Sequence, residues 1–373
     1  MRIAYVTADF GVPVFGTKGA SIHVRELTRA LVSLGHEVVI LTPRAGGARP
    51  PGFDVPVYEL RSQTERRRAY SRELRRRGCG LLESFAPDVV YERYSLFGTG
   101  GARLAQDLGV PLVLEVNAPL AAEHARYRGL DRPESALRIE RTLLCRADRV
   151  IAVSSGIARW LQELGVDEER VRIVPNGVDP ARFRPDGAVR KGAVVGFVGS
   201  LKPWHDVATL VRALALVPER PQLLVVGDGP DRERLRAEAE RTGVDATFTG
   251  AVPYESVPAY LSGFEVAVAP YADDDRFYFS PLKLVEYLAA ARPVVAAAVG
   301  DIGHCIRHGE TGWLYAPGDA AGLAAAIREV LSDPVRAATV ARAGRAHVVA
   351  EHTWERNARE VVALAESARA VRA

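Results

Sequence analysis

Apolar and polar positions along this chain follow a strand-then-helix rhythm that runs through it twice. In the first half, apolar runs at Ile3–Thr7, Val38–Thr42, Val89–Tyr91, Leu112–Val116, Val150–Val153 and Arg172–Val174 are separated by segments with helical spacing. The scheme returns at Val194–Val198, Leu223–Val226, Thr247–Thr249, Val266–Ala269 and Pro293–Ala297, each run bounded by Gly or Pro. Strands joined through helices pair in parallel, so the pattern predicts an α/β protein with two doubly wound, Rossmann-like parallel-sheet domains. The stretch from Asn176 to Gly192 is rich in Pro, Gly and charge and has no periodicity, which marks the interdomain connection. The expected organisation is residues 1–185, residues 186–350, and a last helical segment, 351–373, that could cross back to the first domain.

In open α/β sheets, ligands bind beyond the carboxyl ends of the strands, so the loops after each strand are the places to search. After the first strand, Gly16 and Gly19 allow close backbone approach, and Lys18 brings charge to the start of a helix from about Ala20 to Leu34. In the second half, Gly199-Ser200-Leu201-Lys202-Pro203-Trp204-His205 follows one strand and Gly227-Asp228-Gly229-Pro230 the next, with Gly250 closing the third. The second of these loops has Arg232 where a dinucleotide fingerprint needs its third Gly, which disfavours a dehydrogenase. Each loop alone reads equally as a simple strand-to-helix turn.

The segment from Tyr278 to Leu314 carries the most chemistry. Leu282, Val285, Leu288 and Ala289 recur at helical spacing, and Pro281 suits a first turn, so a helix is expected to begin near Ser280. Its free N–H groups and dipole favour an anion, Lys283 adds charge, and Glu286 one turn on is a bidentate acceptor for a diol. Phosphate followed by ribose fits that order. An ordinary Pro-started helix before a buried strand fits it too.

Composition narrows the class. The chain has 373 residues, 48% hydrophobic and 25% charged, with no apolar run near the ~20 residues of a membrane span. The N-terminal MRIAYVT enters a strand pattern without a signal-peptide h-region, and Cys79, Cys145 and Cys305 lack metal spacing, so a cytoplasmic protein with reduced thiols is expected. Residues 1–185 hold 28 basic and 22 acidic side chains, and the excess comes from Arg61 to Arg77, where eight arginines meet only Glu65 and Glu73. This basic helix reads either as a solvated face or as a weak contact for anionic membrane or an acidic acceptor. No aromatic platform accompanies it, which argues against nucleic acid. There are 45 arginines but four lysines, and three of these, Lys18, Lys202 and Lys283, fall in strand-end loops, Lys191 being the fourth. A compact ammonium suits a point contact with phosphate.

Taken together, GTKGASIHVRELTRALVSLGHEVVILTP at 16–43, ADRVIAVSSGIARWL at 147–161, VRIVPNGVDPARFRP at 171–185, VVGFVGSLKPW at 194–204, LLVVGDGPDRERL at 223–235, and SPLKLVEYLAAARPVVA with HGETGWLYAPGD resemble the retaining glycosyltransferases of family 4. The resemblance covers nearly the whole chain. It implies the GT-B fold, two Rossmann-like domains facing a cleft, with a nucleotide-diphospho-sugar donor held by the C-terminal domain and a small-molecule or glycan acceptor by the N-terminal one. It also implies transfer of a hexose-type sugar with retention, no metal and no other cofactor, in a bacterial protein. Position by position, Gly19 matches the glycine that approaches the donor, and Glu286 matches the ribose-binding glutamate of the E-x7-E motif. Gly16, Lys18, Gly199, Ser200, Gly227, Gly250, Tyr278, Ser280, Pro281 and Leu282 complete the expected donor side, and Glu115, Asn117 and Tyr94 the acceptor side.

Four positions depart from the family pattern. The first glutamate of the motif falls at Tyr278, the basic pair at Ser200 and His205, the N-domain histidine at Asn117, and a late acidic residue at His304. Lys283 and Lys202, with His205 if protonated, are then the groups expected to stabilise the leaving diphosphate, with Asn117 beside them as a catalytic candidate. Front-side attack lets the departing phosphate take the acceptor's proton, and no carboxylate pair is distinctive enough for a hydrolase. Asp273-Asp274-Asp275 is read as a loop rather than a Mg²⁺ site, with Asp273 placed to touch a sugar hydroxyl. The alternative function is a catalytically silent sugar-nucleotide binder acting as a partner or regulatory protein.

Overall fold

The computed structural model describes every residue except 63–66, 128, 186–192, 274–277, 279 and 373. Residues 186–192 of the expected connection, Lys191 among them, and Asp274 and Asp275 lie outside the described residues. The chain forms two compact units: Met1–Asn176 with Tyr278–Ser280 and Trp354–Ala373, and Gly177–Phe277 with Pro281–Thr353.

The first unit carries a seven-stranded sheet of β1 (Arg2–Thr7), β2 (Glu37–Thr42), β3 (Val57–Glu59), β4 (Val89–Arg93), β5 (Leu112–Val116), β6 (Arg149–Ala152) and β7 (Val171–Ile173). Their order is β3-β2-β1-β4-β5-β6-β7, and every pairing is parallel. The second unit has six parallel strands, β8 (Val194–Val198), β9 (Gln222–Val226), β10 (Ala246–Phe248), β11 (Val266–Ala269), β12 (Val294–Ala297) and β13 (Trp313–Tyr315). Their order is β10-β9-β8-β11-β12-β13. The strand order reverses between β1 and β4 in one sheet and between β8 and β11 in the other, and crevices at such switch points take ligands.

The runs are uninterrupted because parallel strands are covered on both faces. Ile3, Ala4, Tyr5 and Val6 are fully buried in succession, as are Val266 to Ala269. Burying Ile3, Val6, Val266 or Val268 contributes roughly 1.5–3 kcal/mol each. The two strands missing from the sequence reading, β3 and β13, are three-residue sheet edges. Such short edges need neither a long apolar run nor full alternation. The final helix, Trp354–Arg372, belongs to the first unit, where Asn357 Nδ2 donates to Pro175 O at 2.7 Å and Arg372 forks onto Asp148 at 2.8 and 2.9 Å. Among the described residues no helix is long and apolar enough to cross a membrane.

Candidate functional site

In the second unit the loops after β8, β9 and β10 meet through glycines. Gly199 follows β8 with φ +146° and donates its N–H to Val226 O at 2.9 Å. A Cβ on Gly227 would collide with Gly199 O, and Gly227 pairs with Gly250 in an isolated bridge. The three glycines expected on the donor side are thus neighbours, and backbone replaces side chains at the carboxyl end of this sheet.

Lys283 comes into this space from the helix Leu282–Ala289, which is shorter than the sequence suggested: Pro281 caps it with extended backbone (ψ 113°) instead of occupying its first turn. Lys283 is 8% exposed, which excludes the ordinary surface lysine. Among the described residues its Nζ has no hydrogen-bond partner, and it sits 4.1 Å from the Phe197 ring centre and 5.3 Å from that of Tyr271. A Cβ at Gly199 would lie 2.9 Å from this nitrogen, so a side chain there would displace it. Burial pushes the Lys283 ammonium down to about 7, while Glu286, three residues on and 5% exposed, favours the charge. Two aromatic faces hold a cation only partly, and a desolvated ammonium without acceptors is complementary to an incoming oxyanion.

His205 differs from expectation. Burial, then the Lys283 and Lys202 charges, push its imidazole down to about 3, so at neutral pH it is uncharged. Its Nδ1 faces Ser200 O, which can only accept, so Nδ1 carries the proton and ties the ends of the 200–205 loop together. The expected His205 cation is therefore corrected to a neutral loop brace. Lys202 is half-buried with Nζ 5.9 Å from the Trp204 ring centre, and Ser200 is exposed. Asp273 is exposed.

In the first unit the loop after β1 is held by Arg25, whose NH1 donates to Val14 O at 2.8 Å and Gly16 O at 2.7 Å. It delivers Lys18 and Gly19, both exposed, to the start of the helix Gly19–Ser33, and Lys18 Nζ donates to Gly11 O at 3.1 Å. No side chain caps this helix and no acid lies in its first turn, which leaves the anion-favouring end open.

Behind that helix lies a node around Glu115, at the end of β5. Its Oε2 accepts from His23 Nε2 at 2.6 Å and from the Tyr91 hydroxyl, and its Oε1 accepts from Arg93 at 2.8 Å and from Asn117 Nδ2. Burial alone would raise this carboxyl, but the His23 and Arg93 charges and the Tyr91 hydroxyl hold it well below the usual carboxylate range. His23 Nδ1 lies 2.8 Å from Asn176 Oδ1, and Asn176 Nδ2 donates to Ser280 O at 2.5 Å, which fixes the amide orientation. Both ring nitrogens of His23 therefore face acceptors, the geometry of an imidazolium that donates twice. Trp354 packs edge-on to the ring at 5.0 Å.

These contacts revise two acceptor-side expectations. Glu115 is 2% exposed with both oxygens engaged, so it positions Asn117 and Arg93 and does not itself meet a ligand. Tyr94 is 6% exposed and donates to Glu140 at 2.7 Å, so its hydroxyl is used inside the core. Asn117 is half-buried beside Glu115. Tyr278 and Ser280, expected on the donor side, group with the first unit: Tyr278 donates to Glu123 at 3.0 Å, and Ser280 Oγ accepts from Asn176 N at 2.8 Å.

The sequence profile of Glycosyltransferase Family 4 matches residues 17–182 and that of Glycosyl transferases group 1 matches residues 192–333. A D-inositol 3-phosphate glycosyltransferase of Acidothermus cellulolyticus is 30% identical, over 99% of this chain and 90% of its own. The chain belongs to glycosyltransferase family 4. Its GT-B fold is shared with sucrose-phosphate synthase from Thermosynechococcus elongatus, at TM-score 0.82, 24% identity and 99% coverage of both chains. It is shared too with Anabaena HepE, solved in complex with UDP-glucose, at TM-score 0.77, 20% identity and coverage of 96% of this chain and 99% of that one.

Within this family 4 glycosyltransferase, sequence reasoning missed His23, Tyr91, Arg93 and Asn176. His23 stands inside SIHVREL in a helix that buries every residue from Ser21 to Thr28, Ile22, Val24 and Leu27 among them. A polar ring between apolar residues was the available signal, since buried polar groups require partners. The aromatic faces of Phe197 and Tyr271 were hidden for the opposite reason. They lie in apolar runs where a core role accounts for them fully.

Proposed function

We propose that this glycosyltransferase moves a hexose-type sugar from a nucleotide-diphospho-sugar to a hydroxyl acceptor, with retention of configuration and without a metal ion. The observation that carries the proposal is the Lys283 ammonium, buried, without a hydrogen-bond partner among the described residues and adjacent to Gly199, with the Glu286 carboxylate one helical step away. A diphosphate would give Lys283 the acceptor it lacks, and Glu286 would take the two ribose hydroxyls. UDP-glucose is the first donor to test, since HepE binds it on the same fold.

In the reaction the bond from the anomeric carbon to the phosphate oxygen breaks with its electron pair on the diphosphate. The acceptor oxygen bonds to that carbon from the same face and gives its proton to the departing phosphate. Lys283, with Lys202 nearer the surface, supplies the fixed positive charge that such a leaving group needs. Asn117 and Arg93, oriented by Glu115, are the groups available to orient an acceptor.

Glu286→Gln tests the ribose assignment. Charged hydrogen bonds of this type are worth roughly 1.5–3 kcal/mol, so UDP affinity by calorimetry should fall about ten- to a hundredfold with the fold intact. Unchanged affinity would remove Glu286 from the donor site. Metal independence predicts that transfer survives EDTA and gains nothing from Mg²⁺ or Mn²⁺; a collapse rescued by either ion would return the acidic triplet to consideration. The neutral His205 and Ser200 leave fewer cations than the family pattern provides, which favours one second reading, a silent binder. That reading expects nucleotide binding without transfer or donor hydrolysis across a panel of donors and acceptors.

A further inference from the structure

The helices Arg67–Leu82 and Gly100–Leu108 pack closely because two glycines permit it. A Cβ on Gly78 would stand 3.3 Å from the Leu104 methyls, and one on Gly100 would stand 2.6 Å from Leu74 Cδ2 and 3.1 Å from Ser71 O. This contact brings Arg72, Arg75 and Arg76 of one helix beside Arg103 and Asp107 of the other, around a surface groove of about 390 Å³. Arg75 is fixed in place by a forked pair with Asp107 at 2.5 and 2.7 Å.

Among the described residues, three neighbouring arginines are used locally. Arg61 pairs with Glu59, Arg77 with Glu73, and Arg68 donates to Ser135 while covering the Phe97 ring. Arg72, Arg76 and Arg103 are exposed and, among the described residues, no carboxylate pairs with them. Three unpaired guanidinium groups around one concavity repel one another, and each is a planar fork suited to a phosphate edge. Asp107 offsets one of the four positive charges, and Cys79, whose thiol burial and Asp107 push upward, remains a neutral wall. None of these residues lies at a strand end.

We propose that this groove is a second anion site, which takes a phosphate-bearing ligand through Arg72, Arg76 and Arg103, with Arg75 and Asp107 setting the geometry. The phosphate can belong to a soluble molecule or to a lipid headgroup, and the test separates the two. The Lys283→Met background silences the other expected phosphate site. In that background, pyrophosphate is titrated by calorimetry, and sedimentation with phosphatidylcholine vesicles is compared with and without phosphatidylglycerol. Arg72→Gln/Arg76→Gln/Arg103→Gln is set against a charge-matched control, Arg236→Gln/Arg241→Gln/Arg342→Gln, at exposed sites of the second unit.

Loss of pyrophosphate affinity by about tenfold or more in the groove variant alone is expected for a soluble ligand. Loss confined to the phosphatidylglycerol vesicles identifies the headgroup as the source. Equal weakening in both variants, or no binding of either probe by the parent, overturns the proposal. Circular dichroism spectra matching the parent exclude unfolding of the groove variant as the cause.

Discussion

Lys283→Met should slow sugar transfer about 100- to 1,000-fold, the usual cost of removing one fixed group that stabilises charge developing in a transition state. Binding of the intact donor should weaken less, by about tenfold, because the leaving group carries more charge in the transition state than in the ground state. The same substitution should leave the ligand-free protein more stable at pH 6. Methionine keeps the length of the stem and removes an ammonium that burial disfavours, moving it from 10.5 down to about 7. Between those values the unfolded chain holds the proton more tightly than the folded one, so wild-type stability from this group rises with pH. The advantage of Lys283→Met, a few kcal/mol at most, should therefore shrink as pH climbs from about 7 towards 10.5. A second consequence concerns binding: only the ammonium can grip a diphosphate, so wild-type UDP affinity should fall above about pH 7 while that of Lys283→Met stays flat. His205, neutral down to about 3, cannot produce that slope. Chemical denaturation, calorimetry and single-turnover transfer across pH 6–9 measure all three. Equal losses in binding and transfer, or a mutant destabilised at pH 6, would take Lys283 out of the leaving-group role.

The Lys283 helix shows what a sequence reveals and what it conceals. Helical spacing from Leu282 to Ala289 and the Pro before it located the element, and the scarcity of lysine singled out the residue. Burial could not be read, because it depends on Phe197 and Tyr271, brought from β8 and the loop after β11 by the strand order of the sheet. His205 shows the same limit for charge: a histidine near two lysines looks available for protonation until its own burial, and then the two lysine charges, are seen to disfavour the cation. Long parallel strands were legible because their apolar runs are continuous, whereas of the four three-residue edge strands β7 and β10 were read and β3 and β13 were not. The Glu115 node was half legible. Glu115 and Asn117 announced themselves at the end of a strand, but His23, Arg93 and Asn176 come from positions 92, 22 and 61 residues away and had no shared pattern.

Glu115→Gln should destabilise the protein by about 3–5 kcal/mol at pH 7, the range for removing one partner of a buried ion pair. Four donors converge on this carboxylate, from His23, Tyr91, Arg93 and Asn117. A glutamine offers one acceptor oxygen and turns an NH₂ group towards donors, leaving His23 and Arg93 charged and uncompensated. The sign of the pH dependence follows from the lowered carboxyl: its contribution is complete above the ordinary value of 4.5 and is lost as pH falls through the depressed folded value. The gap between wild type and Glu115→Gln in denaturant should therefore narrow on acidification below 4.5. His23→Gln should be destabilising as well, and the double substitution should cost less than the sum, since the two residues share a hydrogen bond of 2.6 Å. Transfer by folded Glu115→Gln should drop because Asn117 and Arg93 lose their common anchor, while UDP affinity stays within about twofold because the proposed donor contacts Lys283 and Glu286 belong to the second unit. A Glu115→Gln protein as stable as wild type, or a strictly additive double mutant, would mean that His23 does not hold the second proton and that the node is an ordinary polar core.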